Sequence, residues 1–212
     1  MDNFRQSYQR DEIGRFYNPM VHIFLNFGFL IVGQIICLNL MIQFKFYFIF
    51  IFFLVFVLGD FVVWFIHKFP LHQPNFPGGS YAFKKHAVLH HGYFNKRMTY
   101  DSLKELHAIF FPVEVVIVFS LVLVPIIIFL LSLAIPTDLA FFIGASFYFY
   151  FMTYEFIHWL SHQQADYVLF RFNHFKRMQS FHTIHHDNKF MTNYNFGIVS
   201  NIFDKLLKTE LK

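Results

Sequence analysis

Ten of the thirteen histidines in this 212-residue chain fall into four short clusters. They are His67 and His72 in HKFPLH, His86, His90 and His91 in HAVLHH, His158 and His162 in HWLSH, and His182, His185 and His186 in HTIHH. Imidazole is the commonest neutral metal ligand near physiological pH. A tetrahedral zinc takes four ligands, so ten exceed one such site and suit two metals of higher coordination. Nitrogen-rich sites that keep open positions serve iron. On helices, His158 and His162 lie on one face at i, i+4, and His182, His185 and His186 on one face at i, i+3, i+4. His86 and His90 are i, i+4 neighbours, with His91 turned further round. His67 and His72 would diverge on a straight helix, and Pro70 between them ends or bends it so that His72 can return. His22, His107 and His174 stand alone and read as satisfied polar or surface groups.

These clusters need a frame, and the frame is apolar. The chain is 56% hydrophobic and 14% charged, with 35 Phe, against about a quarter charged in an ordinary soluble domain. Four stretches are long enough to cross a bilayer as helix, which takes about 20 residues: Val21 to Ile42, Phe46 to Ile66, Ala108 to Ile135 and Leu139 to Ile157. Pro112 and Pro125 predict a tilt or kink in the third. Very short turns join the first to the second and the third to the fourth. The expected fold is therefore all-α and integral to the membrane, with four transmembrane helices in two hairpins and a helical cap carrying the histidines. Residues 1–20 form a polar N-terminal segment, and 21–212 form one membrane domain. The charged start predicts no removable signal peptide. The single cysteine, Cys37, makes no internal disulfide.

Charge sets the direction of the spans. All of the 17 basic residues except Lys45 lie in the N-terminal segment, in residues 67–107 or after residue 157. With four spans those three segments share one face, and the positive-inside rule makes it cytoplasmic. The histidine clusters and both termini are expected there, in a bacterial inner membrane or an endoplasmic reticulum.

Carboxylates inside a span are costly and usually functional. Asp60, Trp64 and His67 share one helix face, as do Glu155, His158 and His162. A metal-bound histidine usually passes its other ring N–H to a carboxylate or carbonyl. Glu155, and after it Asp60, are the candidates for that task, with helix packing the competing role. Glu114 lacks a histidine at helical spacing and reads as structural. Asp187 and Asp204 read as outer partners or surface charges, and Asn193 and Asn195 as neighbours of a metal-bound water or as turn residues.

The motifs DFVVWFIHKFPLH, KKHAVLHHGYF, YEFIHWLSH and FHTIHHDNKFMTNYNFG, in this order around a hydrophobic hairpin, resemble the fatty acid hydroxylase superfamily. Residues 58–208 carry the resemblance, and the fatty acid 2-hydroxylases are the nearest subgroup. The second cluster departs from many relatives, with three residues before its His-His pair instead of two. Phe76–Gly79 (FPGG) faintly echoes a haem motif but has no histidine and reads as a turn. The resemblance implies a non-haem di-iron centre on the ten clustered histidines, with zinc as a substitute metal. It also implies O2 as co-substrate, a lipid substrate and a separate electron donor of cytochrome or ferredoxin type.

The function expected is O2-dependent hydroxylation of a fatty acyl or sterol-like C–H bond, in an apolar slot lined by Phe under the metals. Lipid desaturation by the same centre stays open. So does non-catalytic metal binding or transport, although transport would place ligands near the bilayer midplane. FNHFKRMQSFH is basic with interleaved aromatics, but short and beside a span. It suits anionic headgroups or an acidic electron donor, and no nucleic-acid partner is expected.

Overall fold

The computed structural model describes residues 3–212 and is helical throughout, with no strand among the described residues. The chain divides into two units. One comprises the residues up to Pro19 with Asp60–Phe110 and Phe156–Lys212; the other comprises Met20–Gly59 and Phe111–Glu155.

Four helical stretches are long and apolar enough to cross a membrane: Pro19–Leu40 (α2), Phe48–Lys68 (α3), Val113–Ser132, and Thr137–Ser161 (α8). They mark a multi-pass membrane protein. Each departs slightly from its expected bounds, and the third most. Residues 103–108 turn separately as a 3-10 helix, started by a capping box in which Ser102 accepts from the Lys104 N–H and Glu105 accepts from the Ser102 N–H. Pro112 then occupies the N-cap position, where a missing N–H costs nothing. The expected distortion at Pro125 takes the form of a π-helical segment, Phe119–Leu123, between α6 (Val113–Val118) and α7 (Val124–Ser132). In π register Pro125 would donate to the Ser120 carbonyl, but it has no N–H. The Tyr148 hydroxyl donates to that carbonyl instead, at 2.7 Å.

The unit of Met20–Gly59 and Phe111–Glu155 packs around Leu30, Cys37, Val116, Val124, Ala145 and Tyr148. Gly33 lets the Tyr148 ring lie against α2, since a Cβ there would strike it. A polar knot sits among these apolar helices. The Phe111 carbonyl takes hydrogen bonds from His22 Nε2 and Asn26 Nδ2, both at 2.9 Å, and the Phe111 N–H donates to Glu155 at 3.1 Å.

The other unit begins with α1 (Asn3–Asp11) and takes in the ends of α3 and α8. It continues with α4 (Ser80–Phe83), a π-helical segment (Lys84–His90) and α5 (His91–Phe94). The rest is a 3-10 turn (Val168–Arg171), α9 (Asn173–His185) and α10 (Ile202–Leu206). Phe76–Gly79 is a turn, as expected: the Gly79 N–H meets the Phe76 carbonyl at 2.9 Å, and Gly78 takes a φ of 74°.

Candidate metal centre

All ten clustered histidines belong to the unit that holds both chain ends, and all are buried. Nine of them form two groups, and within each group the candidate ligand nitrogens lie within 4.8 Å of one another. The first group is His67, His72, His86, His91 and His185; the second is His90, His162, His182 and His186. His158 lies beside the second group, its ring 4.9 Å from that of His90 and 5.0 Å from that of His182.

Local geometry decides which histidine joins which group. α3 ends in a wide turn at Pro70, with the Leu71 N–H reaching the Ile66 carbonyl at 3.1 Å. That turn brings the His72 ring to 5.1 Å from His67. His162 follows His158 by one turn at the end of α8, with its ring 5.2 Å away.

The second cluster differs from the simple α-helical expectation. Lys84–His90 is a π-helix, in which i and i+5 rather than i and i+4 align. His86 and His91 therefore converge, Nε2 to Nε2 at 3.2 Å, while His90 turns to His186 at 3.1 Å. The wider helix thus carries the five-residue step from His86 to His91.

The fourth cluster also divides. His185 meets His72 at 3.0 Å, whereas His186 and His182 meet each other at 3.0 Å. The second and fourth clusters each serve both groups; the first and third each serve one.

Backbone carbonyls set the ring tautomers. The Nδ1 atoms of His67, His90, His162 and His185 lie 2.6, 2.6, 2.7 and 2.8 Å from the carbonyl oxygens of Phe196, Ala108, Met98 and Tyr194. His158 hydrogen-bonds the Ile109 backbone. A carbonyl only accepts, so Nδ1 carries the proton of a neutral ring and Nε2 turns its lone pair inward. The rings of His72, His91, His182 and His186 turn Nε2 toward neighbouring imidazoles. Converging lone pairs without a carboxylate or thiolate fit a pair of cations that accept nitrogen ligands.

Burial keeps these rings neutral. It lowers His90 to about 4 and His72 to about 2, the latter helped by His67 and His90. Burial, followed by neighbouring imidazoles, holds His86, His91, His182 and His186 well below the ordinary value. The same holds for His162 and His185, against the opposing pull of their carbonyl bonds.

None of the five ring-to-backbone bonds involves Glu155 or Asp60. Glu155 accepts from the Phe111 N–H and, at 3.5 Å, from Asn26; Asp60 accepts from the Ser200 hydroxyl. Each carboxylate thus binds a segment close in sequence to one that supplies a ring carbonyl. His22 bonds Phe111, His107 pairs with Tyr8 at 2.9 Å, and His174 packs beside Phe175, so none joins a group. Asp187 caps its own turn through the Lys189 N–H. Asn193 bonds the neighbouring Thr192 hydroxyl.

A family model described as fatty acid hydroxylase matches residues 52–209, well over half of the chain. The chain belongs to the fatty acid hydroxylase family. No curated protein and no solved structure matches it significantly. All ten histidines of the centre in this fatty acid hydroxylase family member lie inside the matched segment, and α1 lies outside it. Membership places the chain among oxidoreductases of hydroxylase type, and its histidine groups could hold metal.

Asp204 and Asn195 take up the backbone on either side of the Phe196 carbonyl. Asp204, fully buried, accepts the N–H groups of Phe196 and Gly197 at 2.9 and 2.7 Å and the Thr209 hydroxyl at 2.7 Å. Trp64 reaches the same Thr209 hydroxyl at 3.0 Å. Asn195 takes a φ of 61° and bonds Phe181 and Leu211 through its side chain. The Asn-Phe-Gly stretch was the available signal, since Asn tolerates positive φ.

Proposed function

We propose that this protein is a membrane-bound non-haem di-iron oxygenase that hydroxylates a lipid, either a fatty acyl chain or a sterol-like molecule. The observation that carries the reading is the convergence of two sets of ring nitrogens from four separate sequence clusters. His67, His72, His86, His91 and His185 would hold one iron. His90, His162, His182 and His186, with His158 beside them, would hold the other. A bound iron pair supplies reduction of O2 and oxidation of an unactivated C–H bond. The overall change takes the lipid C–H, one O2, two electrons and two protons to the alcohol and one water.

The protein's own residues bind and orient. The carbonyls of Phe196, Ala108, Met98 and Tyr194 hold four rings by their Nδ1–H, leaving Nε2 for the metals. Burial keeps protons off the imidazoles outside the spans and excludes bulk water. Glu155 and Asp60 act as positioning residues through the backbone near Phe111 and the side chain of Ser200. The electrons come from a separate cytochrome- or ferredoxin-type protein, and zinc would be a substitute metal without redox chemistry. The basic residues favour a cytoplasmic position for the histidines and both termini, with the spans paired as two hairpins. Among relatives, the fatty acid 2-hydroxylases are the group we favour.

Lipid mass spectrometry of cells with and without the gene, grown under oxygen-18 gas, tests the reading. The expected product is heavier than its precursor by one labelled oxygen. An unlabelled product two hydrogens lighter would make the enzyme a desaturase. Unchanged lipids from a metal-loaded protein would favour metal storage or transport.

A further inference from the structure

Arg5 lies outside the segment matched to the family and belongs to none of the histidine groups. It is 5% exposed in α1, and its guanidinium reaches three backbone carbonyls. Nε donates to Tyr93 at 2.9 Å, and Nη2 donates to Arg97 at 2.6 Å and Thr99 at 3.1 Å. Those last two carbonyls flank Met98, whose own carbonyl holds His162 Nδ1. The guanidinium also lies 5.4 Å from the centre of the Phe94 ring, and that ring lies 4.1 Å from the His162 ring. Glu105, 1% exposed, sits 3.6 Å from Nη1 and balances the charge.

Burying a guanidinium costs several kcal/mol unless its donors are satisfied in fixed geometry. Attaching a short helix to a surface needs no such group. The planar fork of arginine bonds the Tyr93 carbonyl through Nε while Nη2 holds the Arg97 and Thr99 carbonyls, a spread of donors that the single nitrogen of an ammonium lacks. We propose that Arg5 is a positioning residue for the second histidine group: it fixes residues 97–99 and the Phe94 ring, and through them the tautomer and orientation of His162. This inference rests on the metal-binding reading above.

The experiment uses the full chain in detergent, loaded with Fe(II) or Co(II), and follows release of each metal to a chelator. The wild type is expected to release two metals. R5M should weaken one of them by about 10–100-fold, the range for loss of an outer-shell support, and leave the other unchanged. R5K should fall between, since it keeps the charge but loses the fork. In a His185→Ala background, where the second group remains intact, R5M should weaken the remaining metal; in a His186→Ala background it should not. Equal weakening of both metals, or no change in either, overturns the inference and leaves Arg5 a merely structural anchor. If R5M fails to fold, the same comparison with R5K decides. A wild type that binds no metal overturns the metal-binding reading itself, and this inference with it.

Discussion

His67 and Phe196, 129 residues apart, meet through one hydrogen bond of 2.6 Å between ring Nδ1 and backbone carbonyl. The Gly197 N–H of that same peptide donates at 2.7 Å to Asp204, so one peptide joins a carboxylate to a candidate metal ligand. Asp204→Asn puts an amide N–H against a backbone N–H at Phe196 or Gly197. Thermal unfolding should show a loss of about 1–3 kcal/mol. Metal release from the first group should quicken by about 10–100-fold, with the second group unaffected. An effect confined to the second group would contradict this path.

The π-helix at Lys84–His90 accommodates one extra residue between His86 and His91. Deleting Leu89 should return the segment to α-helix, where i, i+4 takes the place of i, i+5. Both metals should then be retained, as measured by metal content per chain. Loss of either metal would mean that the wider helix itself is required.

Acid should unfold the metal-free protein early. The unfolded histidines take up protons near pH 6.5, while the folded ones resist, His90 to about 4 and His72 to about 2. Folded values below unfolded ones mean that stability is full above about pH 6.5 and falls as pH drops through that window. Asp204 works the other way, since burial raises it, but it is one group against many. Melting temperatures of the metal-free protein between pH 8 and pH 4 check this slope. A flat profile below pH 6.5 would show that the rings are not buried neutral.

Tyr148→Phe removes the hydroxyl that donates to the Ser120 carbonyl beside Pro125. Detergent unfolding should show a loss of about 0.5–2 kcal/mol. Metal content should stay at the wild-type value, because the bond lies in the other unit from the histidines.

The sequence made some of this legible and hid the rest for physical reasons. Length and apolarity located four spans, because a bilayer imposes both on a crossing helix. Histidine spacing identified ten residues that the fold buries in one unit, nine of them in two tight groups. How they divide was not readable, because i, i+4 spacing describes an α-helix and Lys84–His90 is not one. His185 and His186 are adjacent yet go to different groups, a choice set by what faces each side of α9. The ring partners at Phe196, Ala108, Met98 and Tyr194 are backbone atoms, which no side-chain pattern announces. Arg5 looked like one basic residue among seventeen, since only the fold brings Met98 beside it.

Metal stoichiometry tests the central claim most directly. Iron per chain, measured on purified protein reconstituted with Fe(II), should be two for the wild type and one each for His185→Ala and His186→Ala. The two variants should lose different irons, so the double substitution should hold none. One iron in the wild type, or loss of both from either single variant, would contradict two separate histidine groups.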